Sequence, residues 1–216
     1  MNTFAFDIFI SFSIALPAAL ALVKFPCIEI NYYPFVFLIW IGLFNEALSV
    51  ILVYTIRNNT VNSNIYVLLE FILILYQFYR WDSISLHKFY AFLGIGIIVW
   101  FTDNTIINML TEDNSLFRIF YSFIIVFLSI NQMNKIIVYE KRSLLKNTIF
   151  LICIAFLAYY GFKAFTEVFM AFHLGFSDIF NRNVLIILYF VNLLSNILYA
   201  VAIVCIPTKQ EFTLQY

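Results

Sequence analysis

The chain has 216 residues, 64% of them hydrophobic and 11% charged, where soluble domains carry about 25% charged residues. A soluble fold of this length hides only about 70% of its surface, so a chain with 27 Phe and 14 Tyr would leave large apolar patches in water, and lipid is the expected solvent. A formal net charge of zero without a strongly basic segment excludes the electrostatic footprint of a nucleic-acid-binding protein.

A bilayer core of about 30 Å is crossed by about 20 apolar residues in a helix, and the hydropathy pattern predicts seven such runs. The first, Phe4 to Val23, follows a start without Lys or Arg and therefore reads as a true span rather than a cleaved leader. A break with two prolines, Lys24 to Pro34, leads to the second, Phe35 to Ile56, and an Asn-rich break, Arg57 to Asn64, to the third, Ile65 to Tyr79. After the mixed polar break Arg80 to Lys88 comes the fourth, Phe89 to Phe101, with Thr102 to Leu110 as a polar outer extension. The fifth is Leu116 to Ile137, and the most basic break, Tyr139 to Lys146, precedes the sixth, Thr148 to Phe165. Val184 to Ile206 closes the series. Most runs are about twice the length of barrel strands and lack their alternation. The expected fold is all-α: a polytopic transmembrane helix bundle, one domain over residues 1–216. Because the third and fourth runs are short, six spans stand as the alternative to seven.

With seven spans, one side of the bilayer collects Lys24, Arg80, Lys88, Lys135, Lys141, Arg142, Lys146 and Lys209, and the other Arg57, Arg118, Lys163 and Arg182. The positive-inside bias then puts the N-terminus outside and the C-terminus in the cytoplasm. The basic loop Lys135 to Lys146 reads first as a topology determinant, and second as a dock for an anionic lipid or an acidic partner.

Polar side chains inside spans are costly, a central charge by about 2.5–3.5 kcal/mol on insertion scales, so their placement is informative. Tyr66, Glu70 and Gln77 share a face of the third span, and Arg118, Ser122, Ser129 and Gln132 form a stripe on the fifth. Tyr189, Asn192, Asn196 and Tyr199, flanked by Ser195, form another on the seventh, and the second contributes Asn45, Glu46 and Ser49. Because lipid offers no hydrogen-bond partner, these four faces are expected to meet in a polar seam. Its principal residues are Glu46, Glu70, Arg118, Asn192 and Asn196, supported by Asn45, Gln77, Gln132 and Tyr199. Glu70 and Arg118, each about one turn below the outer surface, are expected to form an ion pair. Interhelical packing alone accounts for many such polar groups, at about 0.6 kcal/mol each. Glu46, near mid-membrane with no cation nearby in sequence, is the strongest candidate for a proton or ligand site.

The inventory argues against enzymatic chemistry. His87 and His173 lie in different breaks and supply no metal cluster. No Gly-x-Ser-x-Gly, Gly-x-Gly-Asp or His-Glu-x-x-His occurs, nor a Gly-rich phosphate loop, and the seventh span has no Lys for a retinal Schiff base. Cys27, Cys153 and Cys205 are far apart in apolar surroundings and read as small buried hydrophobes. No catalytic residue, metal or cofactor is expected.

The segment Ile65-Tyr66-Val67-Leu68-Leu69-Glu70-Phe71, Arg118 at the start of the fifth span, Leu157-Ala158-Tyr159-Tyr160-Gly161, and Asn192 with Asn196-Ile197-Leu198-Tyr199 resemble an uncharacterised family of small bacterial multi-span membrane proteins, often encoded beside sensor histidine kinases. The resemblance runs from about Ile65 to Ile206. It implies a sensor or signalling accessory in a bacterial plasma membrane, partnered by a membrane kinase or another cytoplasmic protein, and open to homo-oligomer formation. It assigns nothing to Glu46. The residues themselves leave two other functions open: a small secondary transporter with a polar midplane site, and a membrane-disrupting effector of a defence or stress system.

Overall fold

A computed structural model describes residues 10–139, 144–172 and 177–207. The start of the expected first span, Phe4 to Phe9, and Lys141, Arg142, His173 and Lys209 lie outside these residues. Seven α-helices follow one another: α1, Ala15–Lys24; α2, Tyr33–Ile56; α3, Thr60–Arg80; α4, Leu86–Thr102; α5, Ser115–Tyr139; α6, Thr148–Ala171; and α7, Asp178–Cys205. Short 3₁₀ turns, Phe12–Ile14 and Phe25–Cys27, flank α1, and a π-helical turn, Asp103–Ile107, prolongs α4. Six of the segments are long and apolar enough to cross a membrane; the first, Phe12–Cys27, is a shorter apolar helix. This is the architecture of a multi-pass, all-α membrane protein.

Several helices outrun their apolar runs, and polar terminal turns are the reason. α3 begins at Thr60 rather than Ile65, so most of the expected Asn-rich break is helical, and α6 continues six residues past Phe165 through Thr166 and Glu167 to Ala171. α7 starts at Asp178 instead of Val184; Lys135 belongs to α5 rather than to a loop, and His87 to the first turn of α4. Capping explains several of these ends. The Asn147 side chain accepts from Phe150 N–H at 2.9 Å and opens α6, while the Ser177 hydroxyl accepts from Phe180 N–H at 3.3 Å and opens α7. Asp82, with φ 52°, turns the chain out of α3, and Ser83 N–H reaches Phe78 O at 3.0 Å as Asp82 N–H reaches Tyr79 O at 3.0 Å. These two bonds occupy carbonyls that the helix end leaves free.

The helices close a ring: α1 packs on α2 and α7, α2 on α3, α3 on α5, α5 on α6 and α6 on α7. α4 stands outside it, against α3 and α5. Gly96 permits that approach, since a Cβ there would collide with the Phe71 ring of α3. Inside the ring an aromatic chain crosses from α3 to α2 through Phe71, Phe117, Tyr121, Tyr160, Phe156, Tyr199 and Phe35, with successive centroids 5.2–5.9 Å apart. Aromatic pairs of this kind contribute about 0.5–1.5 kcal/mol beyond their buried area, so Phe35, Phe71, Phe117 and Phe156 are internal structure, while Phe44, Phe123, Phe127 and Phe165 are among those left on the surface.

Polar contacts fasten the end of the ring where α3 and α7 finish. Phe35 N–H donates to Gln77 Oε1 at 2.7 Å, Gln77 Nε2 to Asn31 O at 2.7 Å, and Arg80 to Asn31 Oδ1 at 2.7 Å. Gln77 is therefore committed to the start of α2 and does not reach the candidate site. At the same end Lys24 Nζ donates to the carbonyls of Ile203, Val204 and Ile206 at 3.1, 2.7 and 2.7 Å. A cation there both fills acceptors that a helix C-terminus leaves open and opposes the helix dipole. Lys24→Leu is expected to free that last turn: amide exchange at Ile203 to Ile206 accelerates severalfold while exchange in the middle of α7 stays unchanged.

A polar cavity and a buried charge cluster

Glu46 and Glu70 reach the same depth from different helices. Glu70 lies ten residues from the first residue of α3 and Glu46 ten from the last of α2, about 15 Å along each axis from the end the charge bias places outside. Between them is a partly enclosed cavity of about 80 Å³. Asn192, Asn196 and Tyr199 of α7 line it, as do Tyr66 of α3, Tyr159 and Tyr160 of α6, and Ser11 just before α1. Gly42 of α2 keeps it open: a Cβ there would stand 3.3 Å from the Tyr66 hydroxyl and 2.6 Å from Ile14 Cδ1. Asn196 is oriented by donating to Ser13 Oγ at 2.8 Å.

Glu70 is the most heavily bonded member. Its Oε2 accepts from the Tyr121 hydroxyl at 2.7 Å and stands 3.5 Å from Lys163 Nζ, and its Oε1 accepts from the Tyr66 hydroxyl at 3.3 Å. Lys163 also donates to the Tyr121 oxygen. Its ammonium lies 5.1, 5.4 and 5.7 Å from the ring centroids of Tyr121, Tyr159 and Tyr160, inside cation–π range. Burial explains this density of partners. Glu70 and Lys163 are 5% and 7% exposed, and a charge at that depth persists only when paired and hydrogen-bonded.

The expected Glu70–Arg118 ion pair does not form. Arg118 pairs instead with Glu167 of α6 at 3.6 Å and donates to Asn114 Oδ1, Ser63 Oγ and Asn64 Oδ1 at 2.8, 2.8 and 3.4 Å. Two helix extensions account for the exchange. The early start of α3 moves Glu70 to mid-depth while Arg118 stays three residues from the start of α5, an offset of about 10 Å along the axis. The continuation of α6 past Phe165 brings Glu167 into the helix one turn beyond Lys163, which from sequence counts among the outer-side cations at the end of the sixth span.

The seam is therefore partly as expected. The faces of α2, α3 and α7 meet through Glu46, Glu70, Asn192, Asn196 and Tyr199, but α5 does not line the cavity. Its Ser122, Ser129 and Gln132 are buried elsewhere, and their side-chain oxygens have no partner among the described residues. Asn45 and Ser49 serve packing: Asn62 of α3 donates to them at 2.8 and 3.3 Å. Lys163, Tyr159, Tyr160 and Tyr121 had no assigned part in the seam. The spacing of Tyr159, Tyr160 and Lys163 on one helix face is the signal that could have found them.

These features define a multi-pass helical bundle built around a buried acid–base cluster and a small polar cavity. Comparison with known protein families, curated proteins and solved structures found no match.

Proposed function

We propose that this protein is a non-enzymatic signalling accessory that senses a membrane or envelope condition and passes it to a membrane kinase or another cytoplasmic partner. The observation that carries this reading is the stacking of two ion pairs along α6. Lys163 is bound to Glu70 of α3, and Glu167, one turn further on, is bound to Arg118 of α5. Two acids and two bases within reach of one helix can pair in more than one way, which supplies the discrete alternative arrangements that a switch requires. A shift of α6 against α3 and α5 would carry a change at the cavity to the ends of the helices. The Lys and Arg bias supports an outside N-terminus and cytoplasmic C-terminus, and is sharper with Lys163 removed from the loop count.

Mild extraction from native membranes is the test. The wild-type chain is expected to co-elute with a membrane partner, and the charge-free pair Glu70→Gln with Lys163→Met to alter that association while the chain remains folded. Elution of the wild-type chain alone would overturn the proposal.

The cavity itself favours a second reading, a small secondary transporter, because carboxylates and amides converge at mid-depth. Transporter sites of that kind are usually built on discontinuous helices, whereas α2, α3, α6 and α7 each pass the cavity unbroken. Proton-coupled uptake in proteoliposomes that disappears in Glu46→Gln would establish transport over signalling.

A further inference from the structure

We propose that the cavity between Glu46 and Glu70 binds a single monovalent cation, seated on the Glu46 carboxylate. Three observations lead there, and the inference deepens the signalling reading by naming what its site takes up. The first is charge. Among the described residues, the ionisable groups facing the cavity or packed behind it are Glu46 on α2, Glu70 and Tyr66 on α3, Tyr121 on α5, Lys163, Tyr159 and Tyr160 on α6, and Tyr199 on α7; the segment just before α1 contributes only Ser11 and Ile14. Tyrosines are neutral, and Lys163 balances one carboxylate. Arg118 is occupied by Glu167. One negative charge is left at mid-depth, where an uncompensated ion is expensive, and one positive charge removes it.

The second is donor chemistry. Glu70 spends both oxygens on Tyr66, Tyr121 and Lys163, while Glu46 has no hydrogen bond or ion pair to any described residue. Tyr160 and Tyr199, 2% and 9% exposed, line the cavity with hydroxyls that no described residue bonds. A largely buried tyrosine normally partners its hydroxyl, so these two oxygens, open to the cavity, point to an occupant. Carboxylate, amide and hydroxyl oxygens suit a hard cation and repel an anion.

The third is size. About 80 Å³ accommodates an ion with a few waters, a single water needing about 10–15 Å³ of such space. Organic ligands occupy sites of about 300–1,000 Å³. A divalent ion would leave an excess positive charge beside Lys163.

A proton and an alkali ion share this chemistry, and one experiment separates them. Thermal unfolding of the purified full chain in detergent is followed as sodium or potassium chloride replaces choline chloride at constant ionic strength, at mildly acid and mildly alkaline pH. An alkali occupant gives a saturable rise in Tm with a half-saturating concentration that increases on acidification, approaching about tenfold per pH unit where the empty site's carboxylate is mostly protonated, as competition with a proton at one carboxylate requires. A proton as sole occupant gives no alkali response and a wild-type stability that falls with rising pH. In both cases Glu46→Gln, neutral and of the same shape, loses the dependence, whereas Glu46→Asp keeps it at weaker affinity and serves if the Gln variant does not fold. Wild-type protein indifferent to both alkali ion and pH, or Glu46→Gln behaving as wild type, overturns the proposal. Failure is distinguishable from failure of the signalling role: cation binding in a chain that elutes alone removes the role and keeps the site, and partner association without a cation response does the reverse.

Discussion

Lys163→Met is expected to destabilise the folded chain by about 3–5 kcal/mol, the range for breaking a buried ion pair by removing one partner. The loss comes mainly from what remains. Without the ammonium 3.5 Å away, Glu70 keeps its hydrogen bonds from Tyr121 and Tyr66 but becomes a bare negative charge among rings at mid-depth. Glu70→Gln added to Lys163→Met removes that charge and is expected to recover most of the loss, since a neutral pair of similar volume costs far less than half an ion pair. Thermal or denaturant unfolding in detergent of the wild type, both single variants and the double variant gives the coupling directly. Additive effects would show that the two residues do not interact.

Gly96→Ala is expected to cost about 1–3 kcal/mol, although Ala is the better helix former, because its methyl group would collide with the Phe71 ring. That ring cannot yield cheaply. Phe71 is fully buried, with Phe117 at 5.9 Å and Tyr121 at 6.2 Å between centroids, so the strain passes either into the aromatic chain or into outward movement of α4. Gly94→Ala, two residues away on the same helix with nothing within 4 Å of its Cβ position, is the control. It is expected to stabilise by about 0.5–1 kcal/mol through backbone entropy. Equal effects at the two positions would show that α4 does not seat on Phe71.

The helical membrane architecture was legible because the lipid requirement writes itself into composition: long apolar runs bounded by polar breaks have few other solutions. Glu46, Glu70, Asn192, Asn196 and Tyr199 were legible for the same reason, as polar groups on helix faces that need one another. The pairings were not. Hydropathy ends a helix where apolar residues thin out, so the turn carrying Thr166 and Glu167 falls outside the expected span, and Lys163, near that end, counts as an outer-side cation rather than a buried partner. The five-residue polar start of α3 was misread likewise, which shifted Glu70 by more than a turn and made Arg118 look like its partner. Tyrosines were hidden by their dual nature: Tyr121 and Tyr160 count as apolar in a run, and only packing shows that the Tyr121 hydroxyl stands between a carboxylate and an ammonium and that the Tyr160 ring lies within cation–π range of that ammonium. The stripe on α5 shows the opposite error, for Ser122, Ser129 and Gln132 share a face and yet contribute nothing to the cavity.

The Glu70–Lys163 contact joins residues 93 positions apart, and this separation bears on how the protein is made. Ribosomes add about 5–20 residues per second, so the third helix must wait on the order of 5 to 20 s for the lysine that neutralises it. During that interval its carboxylate has only neighbours already synthesised. A newborn chain is therefore expected to hold α3 at the insertion machinery or near the lipid headgroups, and to commit it to the bilayer interior once the sixth helix arrives.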